Sequence, residues 1–174
     1  MTSLPHVRPP LHTSTEPFAG RRWPSRLYPG DLAQTSWVRT DLTADLHRLS
    51  GMDQETSENM VFCASEMFSN SVDHSRSGQD TEGRVVRTLH MPTATTLQVA
   101  IIDDGMRTDT TEFQDPQTPQ HTLEEWAHAE RGRGLMLIDR LADSWGTRSV
   151  IDFPFCQGLG TVIWAEFNLP EANR

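Results

Sequence analysis

Apolar positions fall at helical spacing in two stretches of this chain and in short strand-like runs elsewhere. Over about residues 54–74, Met60, Val61, Ala64, Met67, Phe68 and Val72 follow the i, i+1, i+4, i+7, i+8 pattern of a helix with one face on a core. An earlier helix is predicted from Asp31, its N-cap, to about residue 49, with Leu32, Trp37, Val38, Leu42, Leu46 and Leu49 as its stripe. Strands are predicted near 22–28, 84–91, 95–102, 145–153 and 160–169, and a short apolar helix over 135–141. Between 106 and 130 the chain is rich in Thr, Asp, Glu, Gln and Pro, a length and composition that suit a lid or binding segment. Residues 1–20, with Pro5, Pro9, Pro10 and Pro17, read as a flexible tail, leaving 21–174 as one domain. The order β-α-α-β-β-lid-α-β-β predicts an α/β fold, a two-layer sandwich with a mixed sheet and its helices on one face.

The second helix also carries a polar stripe. Glu66, Asn70 and His74 stand four residues apart and outside the apolar set, so they share a face that can line a cleft. Carboxylate and amide oxygens suit Mg²⁺, and a carboxylate can accept a proton from an attacking hydroxyl. A solvated helix face is the ordinary explanation of such spacing.

Composition narrows the chemistry. The net charge is −9, from 24 acids against 15 bases, which argues against direct nucleic-acid binding. Every base is arginine, so a Walker-type P-loop and a Schiff-base lysine are both excluded. Cys63 and Cys156 lie far apart without metal-type spacing and read as thiols rather than a disulfide. No apolar run reaches membrane-spanning length and no signal-peptide pattern opens the chain, so a cytoplasmic location without membrane contact is expected. The remaining histidines form no ligand cluster, and Trp37, Trp145 and Trp164 are expected in the core or against the sheet.

Three further groups follow in order. Asp103-Asp104-Gly105 ends an apolar strand, where a carboxylate could receive a ligand's amino group, or simply form an Asp-Gly turn. Arg131-Gly132-Arg133-Gly134 precedes Leu135, where free backbone amides and a helix N-terminus suit phosphate, although a flexible junction reads the same way. Gly160-Thr161 opens the last strand, its hydroxyl free to meet a ligand or to pair across the sheet.

Taken together, over roughly residues 25–170, this succession resembles the GHKL ATPase superfamily, and within it the stand-alone anti-sigma-factor serine/threonine kinases and their actinobacterial relatives. The resemblance implies the Bergerat-type ATP-binding fold, with ATP and Mg²⁺ as cofactors. It implies that Asn70 ligates the metal, that Glu66 is the general base, and that His74 lies near the phosphates. It assigns the adenine amino group to Asp103, room for the base to Gly105, the phosphates to Gly132 and Gly134 between Arg131, Arg133 and Leu135, and adenine support to Thr161. One departure stands out: Gly105 is followed by Met106-Arg107-Thr108, where the family pattern has a second glycine.

The function implied is transfer of phosphate to a serine or threonine of an antagonist protein, with a sigma factor as the other partner and a homodimer as the expected assembly. The alternative is a non-catalytic module whose protein docking is controlled by nucleotide. A detached histidine-kinase catalytic domain is disfavoured, since no phosphoacceptor-histidine helix precedes the motifs.

Overall fold

The computed structural model describes residues 17–105, 133–150 and 160–169. Five strands, β1 (Arg26–Pro29), β2 (Arg84–His90), β3 (Thr96–Asp103), β4 (Ser144–Ser149) and β5 (Thr161–Asn168), form one sheet in the order β1-β2-β3-β5-β4. Helices α1 (Thr35–Leu46), α2 (Gln54–His74) and α3 (Arg133–Leu141) lie over it. The α/β sandwich is as expected, but every described pairing is antiparallel, where a mixed sheet was expected. A helical crossover usually joins parallel neighbours. Here β5 sits between β3 and β4 and runs against both, so the two strands joined by the crossover never pair.

The period of two in the strands sets the core. β2 alternates buried and half-buried positions along its length. Val85 and Leu89 of β2, Leu97, Val99 and Ile101 of β3, and Ile163, Ala165 and Phe167 of β5 face the helices and join one apolar cluster. α2 lies at its centre, in contact with α1, α3 and the sheet, and buries Met60, Cys63, Ala64, Met67, Phe68 and Val72. Met60, Met67 and Phe68, wholly buried, each contribute about 1.5–3 kcal/mol. Cys63 takes the core position expected for Val61, which packs only partly buried at the edge.

Local caps fix the helix ends. The Asp53 carboxylate accepts the Thr56 N–H at 2.8 Å, so α2 starts at Gln54 as predicted. Asp31 caps a 3₁₀ turn, Leu32–Gln34, through the Ala33 N–H, and α1 begins only after it. The expected α1 stripe is therefore corrected. Val38, Leu42 and Leu46 are wholly buried, but Leu32 and Trp37 are 47% and 60% exposed. Val38, Leu42 and Leu46 already fill the i, i+4, i+8 line on the core, and Trp37 lies about 100° around the helix from it. Trp145 does pack against the core and donates to Asp139 at 3.0 Å. Trp164 occupies the opposite sheet face, its ring against Gly146.

One buried charge had no forewarning in the pattern. Arg87 takes an inward position on β2 with 0% exposure and pairs with Asp45 of α1 at 2.5 Å. It ties α1 to the sheet where an aliphatic residue would ordinarily stand.

Candidate functional site

Asp103 continues the inward series Leu97, Val99 and Ile101, so its carboxylate turns beneath α2 rather than toward solvent. Its Oδ1 accepts the Gly105 N–H at 2.8 Å and the Thr161 N–H at 3.3 Å, and Ser71 of α2 adds a side-chain hydrogen bond. Burial pushes the carboxyl above the usual carboxylate range, aided by Asp104, while the bonds from Gly105, Ser71 and Thr161 oppose the shift. Two glycines make this turn possible. Gly105 has φ +79°, a conformation that suits glycine, and a Cβ on Gly160 would stand 2.2 Å from the Asp103 carbonyl oxygen.

A cavity of about 350 Å³ opens above this carboxylate. Its helical wall is Asn70, Ser71, His74 and Ser75; its floor is Asp103, Gly105, Thr161 and Ile163; Thr147 and Leu135 close the sides. The register explains the floor, since Asp103 pairs with Thr161, and Ile163 with Thr147. His74 stands exposed at the mouth.

α3 begins against the other end of the polar stripe. A Cβ on Gly134 would stand 2.8 Å from Glu66 Oε2 and 3.6 Å from Asn70 Nδ2, so a side chain here would displace the Glu66 carboxylate while leaving Asn70 in ordinary contact. Asn70 Nδ2 is buried and has no hydrogen-bond partner among the described residues. Such an orphan donor costs about 1–3 kcal/mol, and a bound anionic oxygen would satisfy it. The opposite amide orientation would present a carbonyl oxygen to a cation instead. Free N–H groups in the first turn of α3 add favourable potential for phosphate. The residues thus fit a nucleotide with its base over Asp103 and its phosphates between Asn70 and Gly134. Among the described residues no three His, Cys, Asp or Glu side chains converge as a metal cluster, so a divalent ion here would rely on Asn70 and ligand oxygens.

The structure therefore brings together Glu66, Asn70, His74, Asp103, Gly105, Gly134, Leu135 and Thr161. Arg131, Gly132 and the lid expected over 106–130 lie outside the described residues, as do Cys156 and the side chain of Arg133. Ser71, Ser75, Thr147 and Ile163 were not anticipated. Ser71 could have been found, because it follows Asn70 on a predicted helix at the boundary between polar and apolar faces. Thr147 could not, because strand register is invisible before pairing is known. Among the described residues no helix is long and apolar enough to cross a membrane.

Comparison with known proteins bears on the family and the fold. The family model described as histidine kinase-like ATPase domain matches residues 28–163, a span holding Glu66, Asn70, Asp103, Gly134 and Thr161. Among solved structures, the chain is similar to the RsbU and RsbW domains of Rv1364c from Mycobacterium tuberculosis. The TM-score is 0.51 at 17% identity, over 84% of this chain and 33% of that one. The chain spans about a third of that structure's length, and at this identity the likeness is one of fold. No curated protein matches the chain. With its cavity between α2 and the sheet and a model match across most of its length, this chain belongs to the histidine kinase-like ATPase domain family.

Proposed function

We propose that the protein is a Mg-ATP-dependent serine/threonine kinase of the anti-sigma-factor type, acting on an antagonist protein in a partner-switching circuit. The observation that carries this reading is the desolvated Asp103 carboxylate, which faces the same cavity as the unpartnered Asn70 amide. A buried acceptor at one end and an unsatisfied polar group at the other match a ligand that is a nucleobase at one end and an anion at the other.

Asp103 accepts the amino group of adenine, Gly105 leaves room for the ring, and Thr161 supports it from the sheet. Asn70 holds Mg²⁺, which when bound neutralises phosphate charge. Gly132 and Gly134 present backbone N–H groups to the phosphates, with Arg131, Arg133 and His74 nearby and Leu135 closing the wall. Glu66, beside Gly134, takes the proton of the attacking serine or threonine hydroxyl. From the family resemblance, a sigma factor is held in the alternative state and a homodimer is the working assembly. We place the ATP-binding domain at residues 21–174, with 1–20 as a tail, in the cytoplasm.

A second reading, a nucleotide-controlled docking module without phosphotransfer, is favoured by Met106-Arg107-Thr108 standing where the second glycine is expected. The two separate in one assay. Incubation with labelled ATP and the antagonist encoded nearest this gene should label serine or threonine, and Glu66→Ala should lose the label. ATP binding without any transfer by the wild type would favour the docking module.

A further inference from the structure

A second polar network meets the cavity at Ser71, Ser75 and Asp103 and runs back from it behind the end of the site that holds Asp103. It begins at Ser71, whose side chain bonds Asp103 and whose carbonyl accepts the Ser75 hydroxyl at 2.6 Å. Ser75 Oγ in turn accepts the Ser77 N–H at 3.1 Å. Ser77 Oγ accepts the Asp104 N–H at 2.9 Å and lies 2.9 Å from Asp104 Oδ2. Since Asp104 is bonded covalently to Asp103, the chain of contacts closes into a ring. Ser71, Ser75 and Ser77 are 4%, 3% and 0% exposed, so water does not compete for these bonds.

Arg76 fastens the ring from outside. Its Nε donates to the Asp104 carbonyl at 2.9 Å, its Nη2 donates to the same oxygen, and its backbone N–H donates to the Gly105 carbonyl at 2.9 Å. The Asp104 carboxylate also accepts the Arg84 N–H at 3.2 Å, which fixes it to β2. Behind Ser77 the backbone is walled in. A Cβ on Gly30 or on Gly83 would stand 1.7 Å or 2.0 Å from the Ser77 carbonyl oxygen. The turn that carries Ser77 therefore has almost no freedom to shift.

From this closed ring we infer that Arg76, Ser77 and Asp104 are positioning residues that set the aim of Asp103 and so the selectivity for a 6-amino purine. The inference rests on the adenine reading of Asp103 given above. Asp104 is thereby distinguished from its neighbour: its carboxylate is spent on Ser77 and Arg84 and has a structural duty, while that of Asp103 faces the ligand. A carboxylate held within a few tenths of an ångström accepts one amino group in one direction, and loosening its support costs the discrimination before it costs the fold.

The test compares ATP with purine riboside triphosphate, which lacks the 6-amino group, by calorimetric titration in the presence of Mg²⁺. The wild type should prefer ATP. Arg76→Ala should reduce that preference by about fivefold or more, through lost ATP affinity alone, with affinity for the analogue within about twofold of the wild type. Arg76→Lys, which restores one donor to the Asp104 carbonyl, should recover part of the preference. If Arg76→Ala is too unstable to titrate, the same comparison on Ser77→Ala and Arg76→Lys should show a smaller loss in the same direction. Equal weakening toward both nucleotides, or an unchanged preference, overturns the positioning role. Asp103→Asn separates the two levels: a wild-type preference that survives this change means the adenine reading itself is wrong. A preference lost in Asp103→Asn but kept in the Arg76 and Ser77 variants means only the positioning role is wrong.

Discussion

Gly134 and Glu66 stand so close that a single methyl group on Gly134 would lie 2.8 Å from the Glu66 carboxylate. The contact is with the far end of a flexible side chain, so the fold can absorb it by moving Glu66. Gly134→Ala should therefore keep or slightly raise thermal stability, since alanine favours a helix over glycine by about 0.5–1 kcal/mol. If Glu66 is the general base proposed above, phosphotransfer should fall by about tenfold or more, because the displaced carboxylate would no longer meet the attacking hydroxyl. Melting curves and a labelled-phosphate assay on the same preparation check both halves.

Gly160 presents the opposite case. A Cβ there would stand 2.2 Å from the Asp103 carbonyl oxygen, which is backbone, and φ is +155°. Nothing flexible can yield, so Gly160→Ala should destabilise by about 2 kcal/mol or more. Urea unfolding would measure it, and ATP affinity should fall with it because the turn holding Asp103 must move.

The Arg87–Asp45 pair gives a prediction remote from the site. Both partners are buried, so Arg87→Met leaves a carboxylate whose one remaining cation among the described residues is Arg26, at 4.0 Å. The expected loss is about 3–5 kcal/mol, and removing both charges in Arg87→Met with Asp45→Leu should restore most of it. Denaturation midpoints of the single and double variants decide the matter. Trp37→Ser, by contrast, should change stability by no more than about 0.5 kcal/mol, since that ring is exposed.

Much of this was legible in the sequence because helical periodicity is a local signal. The α2 stripe placed that helix over about residues 54–74, and with it the spacing of Glu66, Asn70 and His74; its Asp53 cap became visible only in the structure. What could not be read depended on partners distant in sequence. The position of β5 between β3 and β4 made the sheet antiparallel, Thr147 reached the cavity through that register, and Arg87 found Asp45 across the core. Trp37 was misplaced because an apolar side chain beside a complete stripe looks the same in sequence as one within it. From the residues alone Asp103 and Asp104 were equivalent; the family resemblance singled out Asp103, and the strand's pleat turns that carboxylate inward.

The raised pKa of Asp103 predicts a pH dependence with a definite sign. In the proposed adenine role Asp103 must be ionised, so ATP affinity should fall as pH drops toward a midpoint above the ordinary Asp value of about 3.9. Stability without nucleotide runs the other way. The folded state holds this proton more tightly than the unfolded chain, so the protonated group favours folding at low pH and that contribution is lost as pH rises through the folded pKa. At neutral pH the ionised group thus costs stability, and Asp103→Asn, which keeps an oxygen for Gly105 and Thr161, should melt higher than wild type. Parallel melting and titration series across that pH range test both directions.

The most direct measurement is calorimetric titration of Mg-ATP into the wild type and into Asp103→Asn at neutral pH. Binding by the wild type, weakened by about 10–100-fold or lost in the variant, is the result expected if the Asp103 cavity receives adenine. No binding by the wild type, or the same affinity in both proteins, would contradict it.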